Sequence, residues 1–390
     1  MKTKVKTGIE ILLDSPKSFP LGDSPAILCN EASVCSNLTN SIDTLIGAGV
    51  RLKAIFGPQH GFYCTDQANM IEWESEIDPR TKLPFISLYG AHRKPTPDML
   101  AGISSMIIDL QDVGARFYTY LWSALLTLRA CADMGIPVIL CDRPNPIGGE
   151  IIEGPGVEVG FESFVGLADL PVRHGLTIGE ALYMLALREG VASKLHVAKM
   201  SGWHRWMSWT DTGLEWVNPS PNMPGYLTAL VYPGGCLLEA TNISEGRGTT
   251  RPFELVGAPW IDMWDFSVAL DAERLPGAIF RPTEFKPVFD KFSDQICRGI
   301  QVHAIDEAAF RPVLTYYAII KCARTLYPGE FRWADPPYEY EFEKLPIDIL
   351  AGSETFRKAV EACLPTSEVA EIWRVRELSF ENERREHLIY

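Results

Sequence analysis

The stretch IIDLQDVGARFYTY, residues 107–120, decides how this chain is read. The apolar run Met106 to Ile108 stops at Asp109. Gln111, Asp112, Arg116, Tyr118 and Tyr120 then crowd into the ten positions from 111 to 120. A short apolar run bounded by polar residues reads as a buried parallel strand, and open α/β sheets bind ligands outside the carboxyl ends of such strands. The stretch therefore predicts a strand that delivers carboxylates, an amide, a guanidinium and phenols to a cleft. A core strand has no use for those groups.

The flanking sequence repeats the pattern. Val50–Phe56, Phe85–Leu88, Met106–Leu110 and Val138–Cys141 read as strands, each ending in a polar or Gly/Pro loop. Trp122–Gly135 has helical periodicity with Gly135 as its stop. Thr177–Leu187 is a second helix, with Thr177 as N-cap and Glu180 completing a capping box. Strand, helix, strand at this spacing is a βαβ unit, hence a parallel sheet with right-handed crossovers. The texture changes after Trp203: Trp203, Trp206, Trp209 and Trp216 precede the Pro-interrupted NPSPNMPG at 218–225. Leu227–Val231 reads as a strand and Pro233–Gly235 as a turn. The domain boundary is expected here, giving an α/β domain over 1–232 and a smaller α+β domain over 233–390. In the latter, Val302–Ala304 reads as strand, and Val313–Thr325 and Phe356–Cys363 as helices.

Composition bounds the function. The chain has 390 residues, an apolar fraction of 46% and a net charge of −14, with mean hydropathy 0.00. Such a charge disfavours nucleic-acid and anionic-membrane partners. No run reaches the length of a membrane span, and the amino terminus lacks the pattern of a signal peptide. The nine cysteines are scattered singly without a CxxC pair. They read as free thiols in a reducing compartment, the cytoplasm, with no metal site.

Five loops carry unusual chemistry: FGPQHG (56–61), the 109–120 stretch, DRPNP (142–146) with Glu153-Gly154-Pro155, NPSPN (218–222) and EATNISEGRGTT (239–250). Carboxamides, carboxylates and guanidinium groups interleaved with aromatic rings form the usual lining for a sugar, whose hydroxyls donate and accept and whose faces take rings. Taken singly, several features have structural explanations. His60 reads as a hydrogen-bonded structural histidine, Asp109 as an N-cap, and the tryptophans as core. Gly246-Arg247-Gly248 lacks the following Lys-Ser/Thr of a phosphate loop, and no glycine fingerprint follows Ile9–Leu13, taken as the first strand, so nucleotide chemistry is rejected.

FGPQHG, SLYG (87–90) with KPT (94–96), DLQDVGARFYTY, DRPNP, EGP (153–155), RHGLTIGE (173–180), WVNPSPNMP (216–224), YPGGCLLEATNISEGRGTTRPFE, GAPW (257–260) and the terminal FENERREHLIY together resemble the exo-β-N-acetylmuramidase family of glycoside hydrolases. The resemblance implies a Rossmann-like amino-terminal domain, a smaller carboxy-terminal domain and a cleft between them. It implies release of N-acetylmuramic acid from non-reducing ends of peptidoglycan fragments, with no cofactor and a small muropeptide or amino sugar as partner.

One position departs. The family's usual block has Glu where this chain has Gln59, and a carboxamide is no proton donor at neutral pH. Glu72, beside Met70, Ile71 and Trp73, is the expected replacement, since apolar surroundings raise a carboxyl pKa. Asp112, Glu239 and Glu245 are candidates for a second carboxylate. The lactyl carboxylate of muramic acid calls for a cation, from Arg116, Arg143, Arg173 or Arg247. Gln59, His60, Gln111, Tyr118, Asn145, Glu153, His174, Asn222 and Asn242 complete the expected substrate-binding set. A binding protein without catalysis, or with altered specificity, is the competing reading, since it would tolerate Gln59.

Overall fold

The computed structural model describes residues 4–65, 67–68 and 70–390. Seven strands, β1 (Ala26–Cys29), β2 (Ile55–Gly57), β3 (Glu76–Ile77), β4 (Pro84–Ser87), β5 (Met106–Asp109), β6 (Val138–Cys141) and β7 (Leu195–Ala198), form one sheet in the order β3-β4-β2-β1-β5-β6-β7. All neighbours are parallel except the β3–β4 edge pair. Without β3 this is the doubly wound order, with its topological switch between β1 and β5.

The central strands are buried on both faces and alternate between two apolar layers. Ile27, Ile55, Ile107 and Ile139 pack with Ile9 and Leu12 of α1 (Gly8–Asp14) and Ile42 and Leu45 of α2 (Ser41–Gly47). Leu28, Phe56, Ile108 and Leu140 pack in the other layer with α3 (Tyr120–Asp133) and α4 (Ile178–Arg188). The capping box at Thr177 and Glu180 is present as the sequence predicts. After α5 (Trp209–Thr212) and α6 (Tyr226–Gly235), strands β8 (Leu255–Ala258), β9 (Ala278–Phe285) and β10 (Cys297–Ala304) form a small antiparallel sheet, order β8-β10-β9. Helices α7 (Met263–Ala272), α8 (Pro312–Leu326), α9 (Pro346–Ala351), α10 (Thr355–Glu361) and α11 (Thr366–Arg384) complete this half. The chain then returns to the large sheet: Arg384 donates to the carbonyls of Gly149, Glu150, His174 and Gly175, and the Tyr390 hydroxyl to Asp142. Among the described residues no helix is long and apolar enough to cross a membrane.

Two expectations are corrected. Ile9–Leu13 is helix α1, opened by a capping box of Thr7 and Glu10. The first strand is Ala26–Cys29, and the residues that follow it, from Asn30, contain no glycine before Gly47. Leu227–Val231 is likewise helical, within α6, and Pro233 lies inside that helix. An apolar run buried all round cannot be told from a strand by periodicity. The Gly-Gly step that suggests a turn instead permits close helix packing: a Cβ at Gly234 would lie 2.1 Å from the Pro312 carbonyl of α8. The boundary expected at 232/233 falls inside α6.

Candidate active site

Loops from both halves enclose a cavity at the carboxyl ends of the central strands. The loop after β2 contributes Gln59 and His60, the turn into α3 contributes Tyr118 and Thr119, and the Pro-rich loop contributes Ser220 and Asn222. The segment after α6 adds Glu239 and Arg247, and a hairpin before α9 adds Tyr338 and Glu339. The β2 loop turns sharply: His60 has φ 68°. A Cβ at Gly57 would lie 2.7 Å from the Trp73 ring, which closes over this loop and donates from Nε1 to the Pro58 carbonyl at 3.1 Å.

The hairpin is the least expected part. Tyr338 and Glu341 exchange two backbone hydrogen bonds of 2.9 Å, leaving Glu339 and Tyr340 as the two turn residues. Their φ angles are 43° and 68°. Both central residues of such a turn need positive φ, so Asn-Gly is the usual choice. A side chain there costs on the order of 1–2 kcal/mol per residue, a strain typical of functional loops. The strain aims Glu339 at the cavity. Its carboxyl accepts from the Tyr89 hydroxyl at 3.0 Å and from Gln59 Nε2 at 3.3 Å. Thr119 Oγ1 donates to Gln59 Oε1 at 2.7 Å, which turns the amide nitrogen toward Glu339. Burial, aided by the charge of Glu239, pushes the Glu339 carboxyl up to about 7, against its two hydrogen bonds.

Glu239 has the opposite environment. Burial opposes its charge, yet Arg247, which donates to it at 2.6 Å, and Tyr338, which donates at 2.7 Å, hold its carboxyl below the ordinary range. Arg247 also faces Glu245 at 3.3 Å, and Lys291 donates to Glu245 at 2.9 Å. The cavity thus holds one carboxyl group biased to stay protonated and another biased to stay ionised.

Of the residues expected from sequence, Gln59, His60, Tyr118, Asn222, Glu239 and Arg247 line this cavity. Glu245 stands behind Arg247 and lines an adjoining outer chamber. Glu72 lies outside, with half of its side chain exposed, accepting from Tyr340 at 2.8 Å and Arg93 at 3.2 Å. Arg143 is held by Asp109 through contacts of 2.6 and 2.8 Å, and Asp109 also accepts from Ser41. Asp109 is therefore an ion-pair partner and not a helix cap. Arg116 donates to the carbonyls of Pro155, Leu170 and Leu350. Asp112 accepts from the Gly114 N–H at 2.6 Å and lies 4.0 Å from His174; burial pushes Asp112 up to about 7 and His174 down to about 3. Gln111 donates to the carbonyls of Asp112 and Pro144.

The remaining expected residues lie away from this cavity and hold other parts of the fold. Asn145 ties its own turn to the Leu176 carbonyl. Glu153 accepts the Leu314 N–H in the first turn of α8, and burial pushes its carboxyl up to about 7. Arg173 donates to the Ile147 carbonyl. Asn242 clasps the backbone of Glu330 and Arg332. Trp203 and Trp209 are buried, and none of the four clustered tryptophans lines the cavity.

Sequence reading missed Glu339, Tyr338, Tyr89 and Thr119. The signal for the first two was available: PPYEYEFEK at 336–344 has the same mixture of proline, aromatic and carboxylate as the five loops.

Comparison with known proteins bears on these residues. A family model described as exo-beta-N-acetylmuramidase NamZ, N-terminal, matches residues 26–226, and its C-terminal counterpart matches 230–390. The chain is 40% identical over 390 residues to the peptidoglycan beta-N-acetylmuramidase NamZ of Bacillus subtilis, covering all of this chain and 92% of that protein. It superposes on a crystal structure of a DUF1343-family protein from Bacteroides fragilis with TM-score 0.87 at 33% identity, over 99% of each chain. A second protein of that family from the same organism gives TM-score 0.77 at 25% identity, over 100% of this chain and 99% of that one.

Proposed function

The chain belongs to the exo-β-N-acetylmuramidase family, and we propose that it is a glycosidase that releases N-acetylmuramic acid from the non-reducing ends of small peptidoglycan fragments. The observation that carries this reading is the pair of cavity carboxyls with opposed environments, Glu339 raised and Glu239 lowered. Titratable groups pushed apart in this way mark an acid and its ionised counterpart. Glycoside hydrolysis takes two carboxyl groups.

In the reaction, protonated Glu339 gives its proton to the glycosidic oxygen as the bond to C1 breaks, and the leaving sugar departs with a free hydroxyl. Ionised Glu239 offsets the positive charge that develops at C1. Water supplies the new hydroxyl at C1, and its second proton restores Glu339. Gln59 cannot supply a proton, and here it donates a hydrogen bond to the group that does. Asn222, Tyr118 and His60 offer partners for the sugar's polar groups, and Arg247, which also pairs with Glu239 and faces Glu245, is the arginine of this cavity that would meet a lactyl carboxylate. The product class fits cell-wall turnover or recycling. Nine cysteines without a disulfide among them suit a reducing compartment, and we take the cytoplasm as its location.

The test is incubation of the purified protein with the disaccharide N-acetylmuramyl-N-acetylglucosamine and with a chromogenic muramic-acid glycoside. Free N-acetylmuramic acid is expected from both. Binding of the disaccharide without its cleavage would replace the enzyme by a muropeptide-binding protein.

A further inference from the structure

A second cavity, of about 230 Å³, lies on another side of α6 and takes no part in the reaction above. Tyr226 and Leu230 of α6 line it, whereas Tyr232 lines the first cavity. Its rim carries Trp206, which is 59% exposed. The His204 ring stacks near one face of that indole, with centroids 6.4 Å apart and planes within 7°. Trp264, at 62%, is as open, but it does not border this cavity, whereas Trp203 and Trp209 of the same cluster are buried.

The polar lining identifies the ligand. Arg173, 2% exposed, borders the cavity; its Nη2 donates to the Ile147 carbonyl, while Nε and Nη1 have no hydrogen-bond partner among the described residues. Glu307 borders the same space and accepts from the Tyr226 hydroxyl. A guanidinium only donates and a carboxylate only accepts, so a ligand that satisfies both must accept and donate. Hydroxyl groups do so. Charge points the same way: Glu150, Asp211 and Glu307 oppose an anion, while Arg173 and Arg205 oppose a cation. A neutral polyhydroxylated ring meets these requirements, and an open indole face is what the C–H face of a pyranose packs on.

We propose that this cavity is a second saccharide-binding site, taking a neutral pyranose unit of a glycan strand away from the point of bond cleavage. The site rests on the glycosidase reading only for the identity of that strand. The probe is the neutral trimer of N-acetylglucosamine, titrated into the full chain while the tryptophan indole N–H resonances are followed. The Trp206 resonance is assigned by its loss in Trp206→Ala. It is expected to move on titration. Retention of Trp206→Ala on insoluble peptidoglycan should fall about three- to tenfold, the worth of one aromatic contact, with disaccharide turnover unchanged. Glu307→Gln should weaken retention in the same sense, because it replaces one of the two acceptor oxygens on the same wall by a donor. An unmoved Trp206 resonance at saturating trimer, or undiminished retention of Trp206→Ala, would overturn the proposal. A responding Trp206 in a protein that cleaves no disaccharide would leave this site standing and remove the glycosidase reading instead.

Discussion

At the carboxyl end of β5, Asp109, Asp112 and Arg116 are all buried, and the protein itself uses each of them. Asp109 neutralises Arg143, Asp112 holds the Gly114 N–H, and Arg116 fastens three backbone carbonyls drawn from both halves of the chain. In the hairpin of Tyr338–Glu341, Glu339 is as deeply buried as Asp112, and burial pushes both carboxyls up to about 7. Glu339 lines the cavity, however, and Asp112 does not. A raised pKa therefore reports burial in both places, and only the place that faces the cavity is assigned chemistry in the proposed reaction. The position separates them, and Glu339 is also held in a two-residue turn with positive φ, where Asn-Gly is the usual sequence.

The contrast can be broken by substitution. Glu339→Gln is expected to lower kcat by about 10²–10⁴, the typical worth of general acid catalysis, with disaccharide affinity nearly intact. Asp112→Asn, measured beside it, should leave kcat nearly unchanged. Equal losses would erase the distinction between the two acids. On the structural side, Asp109→Ala should cost about 3–5 kcal/mol of stability, because it strands Arg143 as a buried unpaired charge; urea unfolding reads this directly. A cost near zero would mean that the β5 cluster is not the scaffold described here.

Smaller effects sharpen the comparison. Arg247→Met should weaken transition-state binding of the muramic substrate by about 1.5–3 kcal/mol, with a smaller loss on the N-acetylglucosamine analogue. Equal losses on the two sugars would remove Arg247 as reader of the lactyl group. Glu339 must be protonated to act, so kcat should fall as pH rises through about 7. Gln59→Glu puts a second carboxyl beside it, and like charges share one proton, so that limb should move upward by about one pH unit. Stability carries the same sign. A carboxyl raised in the folded state keeps a proton that the unfolded chain releases near 4.5, so stability falls as pH rises from there to about 7. Glu339→Gln should flatten that slope in pH-dependent unfolding. The smallest effect is expected at Glu72, whose exposed pairing with Arg93 is worth at most about 1 kcal/mol. Glu72→Gln should leave turnover within about twofold of the parent, and a hundredfold loss would return the acid role to it.

Four strands of the large sheet were legible in the sequence because their signal is local, whereas β1, β3 and β7 were not read. Val138–Cys141 and Met106–Asp109 are apolar runs closed by polar residues, and the box of Thr177 and Glu180 opens α4 where its side chains require. The loops after β2 and β5 and the segment at 239–247 were legible as polar stretches that a core has no use for. Their direction was not. Whether Arg143 meets a substrate or Asp109 depends on a residue 34 positions away. Gln59 meets Glu339 across 280 positions, by a turn whose Glu-Tyr sequence carries no hairpin signal. Residue type and spacing determined which groups this protein would have to bury. Only the tertiary packing, within and between the two halves, decided which of those groups face each other and which face the cavity, because hydrogen bonds and ion pairs depend on distance in space and not on distance along the chain.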